Sequence, residues 1–164
     1  MLGHLAQNLH NKQNCPARLL ACRLIMNRKK ILVVDDNAVI VKSLSIKLQA
    51  NNYDVLTAED GGSAVSVARR EKPDLILLDI NFPPDVAHGG GVPWDGFLIM
   101  GWLRRMEEAQ NIPMIVISGG DAAKYKDRAL AAGAVAYFQK PINHEELLKA
   151  IASTLEGAGK EKVA

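Results

Sequence analysis

The chain has 164 residues, which is long enough for one domain with a proper core and too short for two comfortable ones. It has 48% apolar and 23% charged residues, as in ordinary globular proteins, and no apolar stretch approaches the about 20 residues of a membrane span. Residues 1–30 hold six of the 20 basic residues and none of the 18 acidic ones. The rest therefore has 14 basic against 18 acidic residues, so no nucleic-acid binding is expected.

The basic segment over residues 1–27 is expected to be an extension that is poorly ordered or weakly helical. Cys15 and Cys22 lie in it with a spacing typical of neither a disulfide framework nor a zinc site, so the default location is a reducing cytoplasm. Its apolar residues are too scattered for a signal peptide, and it lacks the serines of a transit peptide. Met26 is a natural start, so residues 1–25 could instead derive from an upstream start codon.

From residue 30 onward, the chain alternates between strand-like and helix-like segments. Residues 31–34, 75–78 and 114–117 are uninterrupted apolar runs, typical of strands that are covered on both faces. Two further strands are predicted over residues 53–58 and 136–139.

A helix is predicted after each strand. The predicted helices span residues 37–50, 95–110, 121–132 and 145–155, and another begins at Gly61 and stops before Pro73. Asn37 is the expected cap of the first helix, and Asn143 with Glu146 forms a capping box for the last. This alternation indicates βαβ units in one α/β domain with a parallel sheet.

Residues able to do chemistry follow four of the predicted strands. Asp35 and Asp36 follow the first strand, Asp79 the third, Ser118 the fourth and Lys140 the fifth. In an open parallel sheet, ligands bind beyond the carboxyl ends of the strands. We therefore expect three carboxylates, a hydroxyl and an ammonium to meet at one edge of the sheet.

Together these groups suit the chemistry of phosphoryl transfer. A carboxylate can act as a nucleophile and form an acyl phosphate, and the aspartates that follow the strands are the candidates. Crowded aspartates raise one another's pKa unless a cation binds, and hard oxygen ligands suit Mg²⁺. Taken singly, Asp35 and Asp36 could simply cap a helix, Ser118 could form a turn and Lys140 could be solvated. Their joint occurrence in this order favours a site.

Over residues 28–156 the chain resembles the receiver domains of bacterial two-component response regulators. The resemblance rests on the residues just named, on Pro141 after Lys140, and on Tyr137 at the family's aromatic switch position. It implies a flavodoxin-like, doubly wound (βα)5 fold with a single five-stranded parallel sheet of strand order 2-1-3-4-5. Residues 157–164 are then a polar tail.

The resemblance also implies a metal site. Asp36 and Asp79 would bind Mg²⁺ directly, together with the backbone carbonyl of Asn81, and Asp35 would help mostly through water.

It further implies a switch, in which Asp79 accepts a phosphoryl group from a histidine kinase or a histidine phosphotransfer protein. Lys140 and Ser118 would then bind phosphoryl oxygens, and Tyr137 would swing toward the space that Ser118 vacates. The expected protein is a stand-alone cytoplasmic receiver that signals through contact with a downstream protein. It is expected to catalyse only its own phosphorylation and dephosphorylation. Neither nucleic acid nor a membrane is an expected partner.

The chain departs from the family pattern between Asp79 and Asp95, which lie 16 positions apart where about eight are usual. Residues 84–93 enlarge this loop. Residues 85–92 could form a flap that tunes partner choice or the lifetime of the acyl phosphate. They could equally be an inert insertion, because loop length costs little free energy.

Three alternatives remain open. A Mg²⁺-dependent aspartate-nucleophile phosphohydrolase would use similar groups. Such enzymes are expected to have an Asp-x-Asp motif, whereas this chain has Asn81 two positions after Asp79. A flavodoxin-type cofactor binder is disfavoured because Asp35 and Asp36 would repel a phosphate. A degenerate receiver is disfavoured because every acceptor-site position is filled.

Overall fold

The computed structural model describes residues 28–81 and 95–160 of the chain. The predictions for residues 1–27, for the 85–92 insertion and for the end of the polar tail lie outside the described residues.

The described residues form a five-stranded parallel sheet with the order β2-β1-β3-β4-β5. The strands are β1 (Lys30–Val34), β2 (Asp54–Ala58), β3 (Leu75–Asp79), β4 (Met114–Ser118) and β5 (Ala136–Gln139). The predicted flavodoxin-like fold and strand order are thereby confirmed. Every residue of β3 and β4 is buried, as their unbroken apolar runs require of strands covered on both faces.

Each strand is followed by a helix. The helices are α1 (Ala38–Ala50), α2 (Gly61–Glu71), α3 (Gly96–Arg105), α4 (Ala122–Ala131) and α5 (His144–Lys160). Each begins after a side chain that accepts a hydrogen bond from a backbone N–H of the first turn. These capping residues are Asn37, Asp60, Asp95, Asp121 and Asn143. Within the described residues, none of the helices has the length and apolar character needed to cross a bilayer.

The core has two layers because successive side chains of a strand point to opposite faces of the sheet. In β1, Ile31 and Val33 belong to one layer, and Leu32 and Val34 to the other. The first layer contains buried residues of α1 and α5, and the second contains those of α2, α3 and α4. The sheet is thus held on both faces, and its carboxyl edge is left free to form a site.

Two helix ends differ from the prediction. The third helix ends at Arg105 instead of residue 110, because Met106 adopts an extended backbone. Met106, Ala109 and Ile112 are still buried. The apolar pattern therefore continues through a turn that packs on the core, and the pattern alone does not reveal where the helix stops. The last helix extends to Lys160, past residue 155, although Gly157 and Gly159 are weak helix formers.

Candidate functional site

The carboxyl ends of the strands bring the predicted residues to one edge of the sheet. Val34 pairs with Leu78 in the register of β1 and β3, so Asp35 and Asp79 are the next residues of neighbouring strands. Ser118 ends β4, and its carbonyl accepts a hydrogen bond of 2.8 Å from the backbone N–H of Lys140. The parallel register thus fixes the positions of four of the predicted side chains.

The Lys140 ammonium lies between two buried carboxylates. Its Nζ donates to Oδ2 of Asp35 and to Oδ2 of Asp79, each at 2.6 Å. The other carboxylate oxygens accept backbone hydrogen bonds, Oδ1 of Asp35 from the N–H of Asn37 at 2.9 Å and Oδ1 of Asp79 from the N–H of Asn81 at 2.8 Å. Both carboxylates are therefore held at both oxygens by described residues.

Burial and charge shift two pKa values at this site. Burial raises the pKa of the Asp35 carboxyl, and the hydrogen bonds from Lys140 and Asn37 offset only part of that rise. Burial lowers the pKa of the Lys140 ammonium, but its hydrogen bonds to Asp35 and Asp79 more than compensate, so the net pKa is raised. The ammonium is stabilised in its charged form, whereas ionisation of Asp35 is costly.

Three carboxylates lie close enough to share one cation. One oxygen each of Asp35, Asp36 and Asp79 lies within 4.8 Å of the others, with Asp36 exposed and the other two buried. Among the described residues, one ammonium faces three carboxylates, which leaves an excess of negative charge. Oxygen-only ligands with a solvent-facing side that leaves room for water match the preference of Mg²⁺, so the residues present fit this ion.

Ser118 is buried, and both sides of its hydroxyl are engaged. It donates a hydrogen bond to Oδ1 of Asn81 and accepts one of 3.1 Å from the N–H of Gly120. The structure therefore brings Asn81 to the site through its side-chain amide as well as its backbone. Asn81 was expected to contribute only its backbone carbonyl, and nothing in the sequence indicates the contact of its side chain with Ser118.

Tyr137 lies in β5, half-buried against the core layer that holds α3 and α4. Its hydroxyl is buried and has no hydrogen-bond partner among the described residues. A buried hydroxyl without a partner is unfavourable by about 1–3 kcal/mol. A conformation that gives this hydroxyl a partner or exposes it to water would relieve that cost.

Gly96 adjoins the site and was not among the predicted site residues. A Cβ atom at Gly96 would lie 2.3 Å from Cα of Ile80 and 2.6 Å from the carbonyl oxygen of Asp79. Only glycine therefore lets α3 begin against the backbone of Asp79. The N–H of Gly96 also donates to the carbonyl of Ile80 at 3.3 Å. The Asp95-Gly96 pair is the sequence feature that could have indicated this contact. Aspartate caps a helix, and glycine permits the start of that helix to approach another backbone closely.

Residues 31–152 match the family model of the response regulator receiver domain, and the chain belongs to this family of two-component signalling domains. The chain is 36% identical over 128 residues to Protein PilH of Pseudomonas aeruginosa, a match that covers 78% of this chain and 98% of PilH. It is 29% identical to the polar-differentiation response regulator DivK of Brucella anthropi, covering 79% of this chain and 98% of DivK. The resemblance found in the sequence is thereby confirmed.

Other relatives are longer than this chain. The match to response regulator PleD of Caulobacter vibrioides is 35% identical and covers 76% of this chain but 25% of PleD. Among solved structures, a CheY-like response regulator receiver domain protein from Methanospirillum hungatei JF-1 superposes with a TM-score of 0.71 at 28% identity. That match covers 82% of this chain and 99% of the other. The chain thus corresponds to the whole of some relatives and to one part of others.

Proposed function

We propose that the chain is a stand-alone receiver, with its domain over residues 28–156, and that Asp79 accepts a phosphoryl group. The observation that carries this proposal is the Lys140 ammonium at 2.6 Å from both Asp35 and Asp79, beside a third carboxylate. A lysine held between two buried aspartates is costly to maintain for stability alone. It is well suited to neutralise a phosphoryl group that arrives at one of them.

The donor would be a phosphohistidine of a histidine kinase or of a histidine phosphotransfer protein. A carboxylate oxygen of Asp79 forms a bond to phosphorus while the bond from phosphorus to the imidazole nitrogen breaks. The electron pair of that bond leaves with the nitrogen, which takes up a proton. Lys140 exchanges one of its two carboxylate contacts for a phosphoryl oxygen, and Ser118 donates its hydroxyl hydrogen to another.

Mg²⁺ would be held by Asp36, Asp79 and the backbone carbonyl of Asn81, with Asp35 acting mostly through water. When bound, the ion offsets the charge of the carboxylates and of the incoming phosphoryl group. The chain's own residues supply the nucleophile, the ammonium and the hydroxyl donor.

The signal would be read by a protein in the cytoplasm. Movement of Ser118 toward the phosphoryl group leaves space beside β4, and Tyr137, whose hydroxyl finds no partner among the described residues, turns toward that space. The surface formed by α4, β5 and α5 changes as a result. Phosphorylation then biases an equilibrium between two surfaces, one of which the downstream partner binds.

Incubation with Mg²⁺ and acetyl phosphate, followed by intact mass measurement, tests this proposal. We expect one phosphate adduct on the wild type and none on Asp79→Asn. Asp74→Asn is the matched control, because Asp74 also pairs with a lysine but lies at the other edge of the sheet, and it should form the adduct normally. Absence of an adduct on the wild type would contradict the proposal, and multiple turnover of a small phosphate ester would favour the phosphohydrolase alternative.

A further inference from the structure

The hydroxyl of Ser118 has a second acceptor that competes with a phosphoryl group. We propose that the Asn81 side chain is a latch that holds Ser118 in its resting position, so that the latch must open before the switch can operate. This inference rests on the proposed function and adds to it a positioning residue that sets how easily the phosphorylated conformation forms.

The competition follows from the number of hydrogens on a hydroxyl. Ser118 has one hydrogen to donate, and Oδ1 of Asn81 accepts it. Oγ of Ser118 already accepts from the N–H of Gly120, so an acceptor is what the hydroxyl needs from Asn81. Ser118 cannot keep this bond in full and also donate to a phosphoryl oxygen. The hydrogen bond to Asn81 therefore has to break whenever Ser118 donates to a phosphoryl oxygen.

Asn81 is well placed to act as a latch because its backbone is fixed at the acceptor. Its N–H donates to Oδ1 of Asp79 at 2.8 Å, so the amide side chain extends from a residue tied to the site. The same amide lies against the loop after Ser118, with Nδ2 at 3.3 Å from the position that a Cβ on Gly120 would take. One residue thus contacts both the phosphoacceptor and the hydroxyl that responds to it.

The latch is also easy to open. Asn81 is exposed, so water can replace Ser118 at Oδ1 once the hydroxyl moves away. Ser118 is buried, and its hydroxyl must find an acceptor in either position. The net effect of one such bond on a two-state equilibrium is roughly 2- to 10-fold.

The test is a double-mutant cycle with beryllofluoride as the probe for a phosphoryl group. The four proteins are the wild type, Asn81→Ala, Ser118→Ala and the double variant, each at saturating Mg²⁺. The midpoint of the beryllofluoride titration is read from the ¹⁹F resonance of Tyr137 in protein labelled with 3-fluorotyrosine, which Tyr137→Phe identifies. Asn81→Ala should lower the midpoint roughly 2- to 10-fold in the wild type, because no bond has to be broken. It should not lower it in the Ser118→Ala background, where no latch exists.

An unchanged midpoint for Asn81→Ala, or an equal change in both backgrounds, would overturn the latch. The equal change would mean that Asn81 contacts the phosphoryl group itself or acts only on the fold. These outcomes leave the proposed function intact as long as acetyl phosphate still adds one phosphate to Asp79. No saturable response in any of the four proteins, and no adduct on Asp79, would overturn the proposed function and the latch together.

Discussion

Aspartate–lysine pairs occur at both edges of the sheet, and they differ in burial rather than in distance. At the carboxyl edge, Lys140 lies 2.6 Å from Asp35 and from Asp79, with side chains that are 17%, 3% and 4% exposed. At the amino edge, Lys29 lies 2.8 Å from Asp74, with side chains that are 46% and 32% exposed. The distances alone would suggest that the ion pairs at the two edges contribute equally to stability.

The hydrogen-bond pattern is also the same at the two edges. Asp74 binds Lys29 through one oxygen and the backbone N–H of Lys30 through the other, just as each buried aspartate binds Lys140 and a backbone N–H. The exposed pair is screened by water and contributes little to stability. The buried cluster has excess negative charge that water screens poorly. Removing or adding one charge there should therefore change the free energy of unfolding strongly.

The largest effect should come from Lys140→Met in metal-free protein. This change leaves Asp35 and Asp79 buried beside each other without a cation, which should lower the free energy of unfolding by about 3 kcal/mol. Urea unfolding in EDTA measures it, with Lys29→Met as the matched control. A loss of stability no larger than that of Lys29→Met would show that burial does not make the carboxyl-edge cluster more sensitive to loss of its lysine.

Mg²⁺ should produce the next largest effect because it binds only the folded protein. At a free concentration 100 times its Kd, it should raise the free energy of unfolding by about 2.7 kcal/mol, and EDTA should reverse the change. The response should shrink in Asp36→Asn and persist in Asp74→Asn, as measured by thermal unfolding. An equal response in these two variants would place the ion elsewhere.

Asp35→Asn should raise the stability of metal-free protein by about 1 kcal/mol, because it removes a buried charge and keeps an acceptor for the N–H of Asn37. Burial raises the pKa of Asp35, so its contribution to stability is present below the ordinary value of 3.8 and is lost as the pH rises through the folded value. The advantage of the variant should therefore shrink as the pH falls toward 3.8. An advantage that is constant with pH would argue against ionisation as its cause.

The smallest effect should come from Lys29→Met. Its loss of stability should stay below about 1 kcal/mol and diminish further in 1 M salt, since exposed pairs are weak and screened. Chemical unfolding at low and high salt measures this. A loss that matched Lys140→Met and resisted salt would remove the distinction between the two edges.

The parts of the fold that the sequence predicted well are those fixed by local pattern. The unbroken apolar runs of β3 and β4 identified strands that are covered on both faces, and the polar residue that ends each run was predicted to lie at the carboxyl edge. Strand order came from the resemblance to a family, since periodicity alone says nothing about which strands are neighbours.

The parts that the sequence did not predict depend on contacts between distant residues. The bond from Ser118 to Asn81 joins residues 37 positions apart, and no local pattern announces it. The end of α3 at Arg105 was missed because Met106 remains buried after the helix stops. Tertiary packing determines both the contact between Ser118 and Asn81 and the position where α3 ends.

The hydrogen bond between Gly96 and Ile80 has a consequence for how this site can diversify. It joins the two ends of the long connection between β3 and α3, next to Asp79. Each doubling in length of a flexible connection costs only about 0.6 kcal/mol in closure entropy. Residues can therefore be added there without displacing Asp79, so the surroundings of Asp79 can evolve while Asp35, Ser118 and Lys140 stay in register with it.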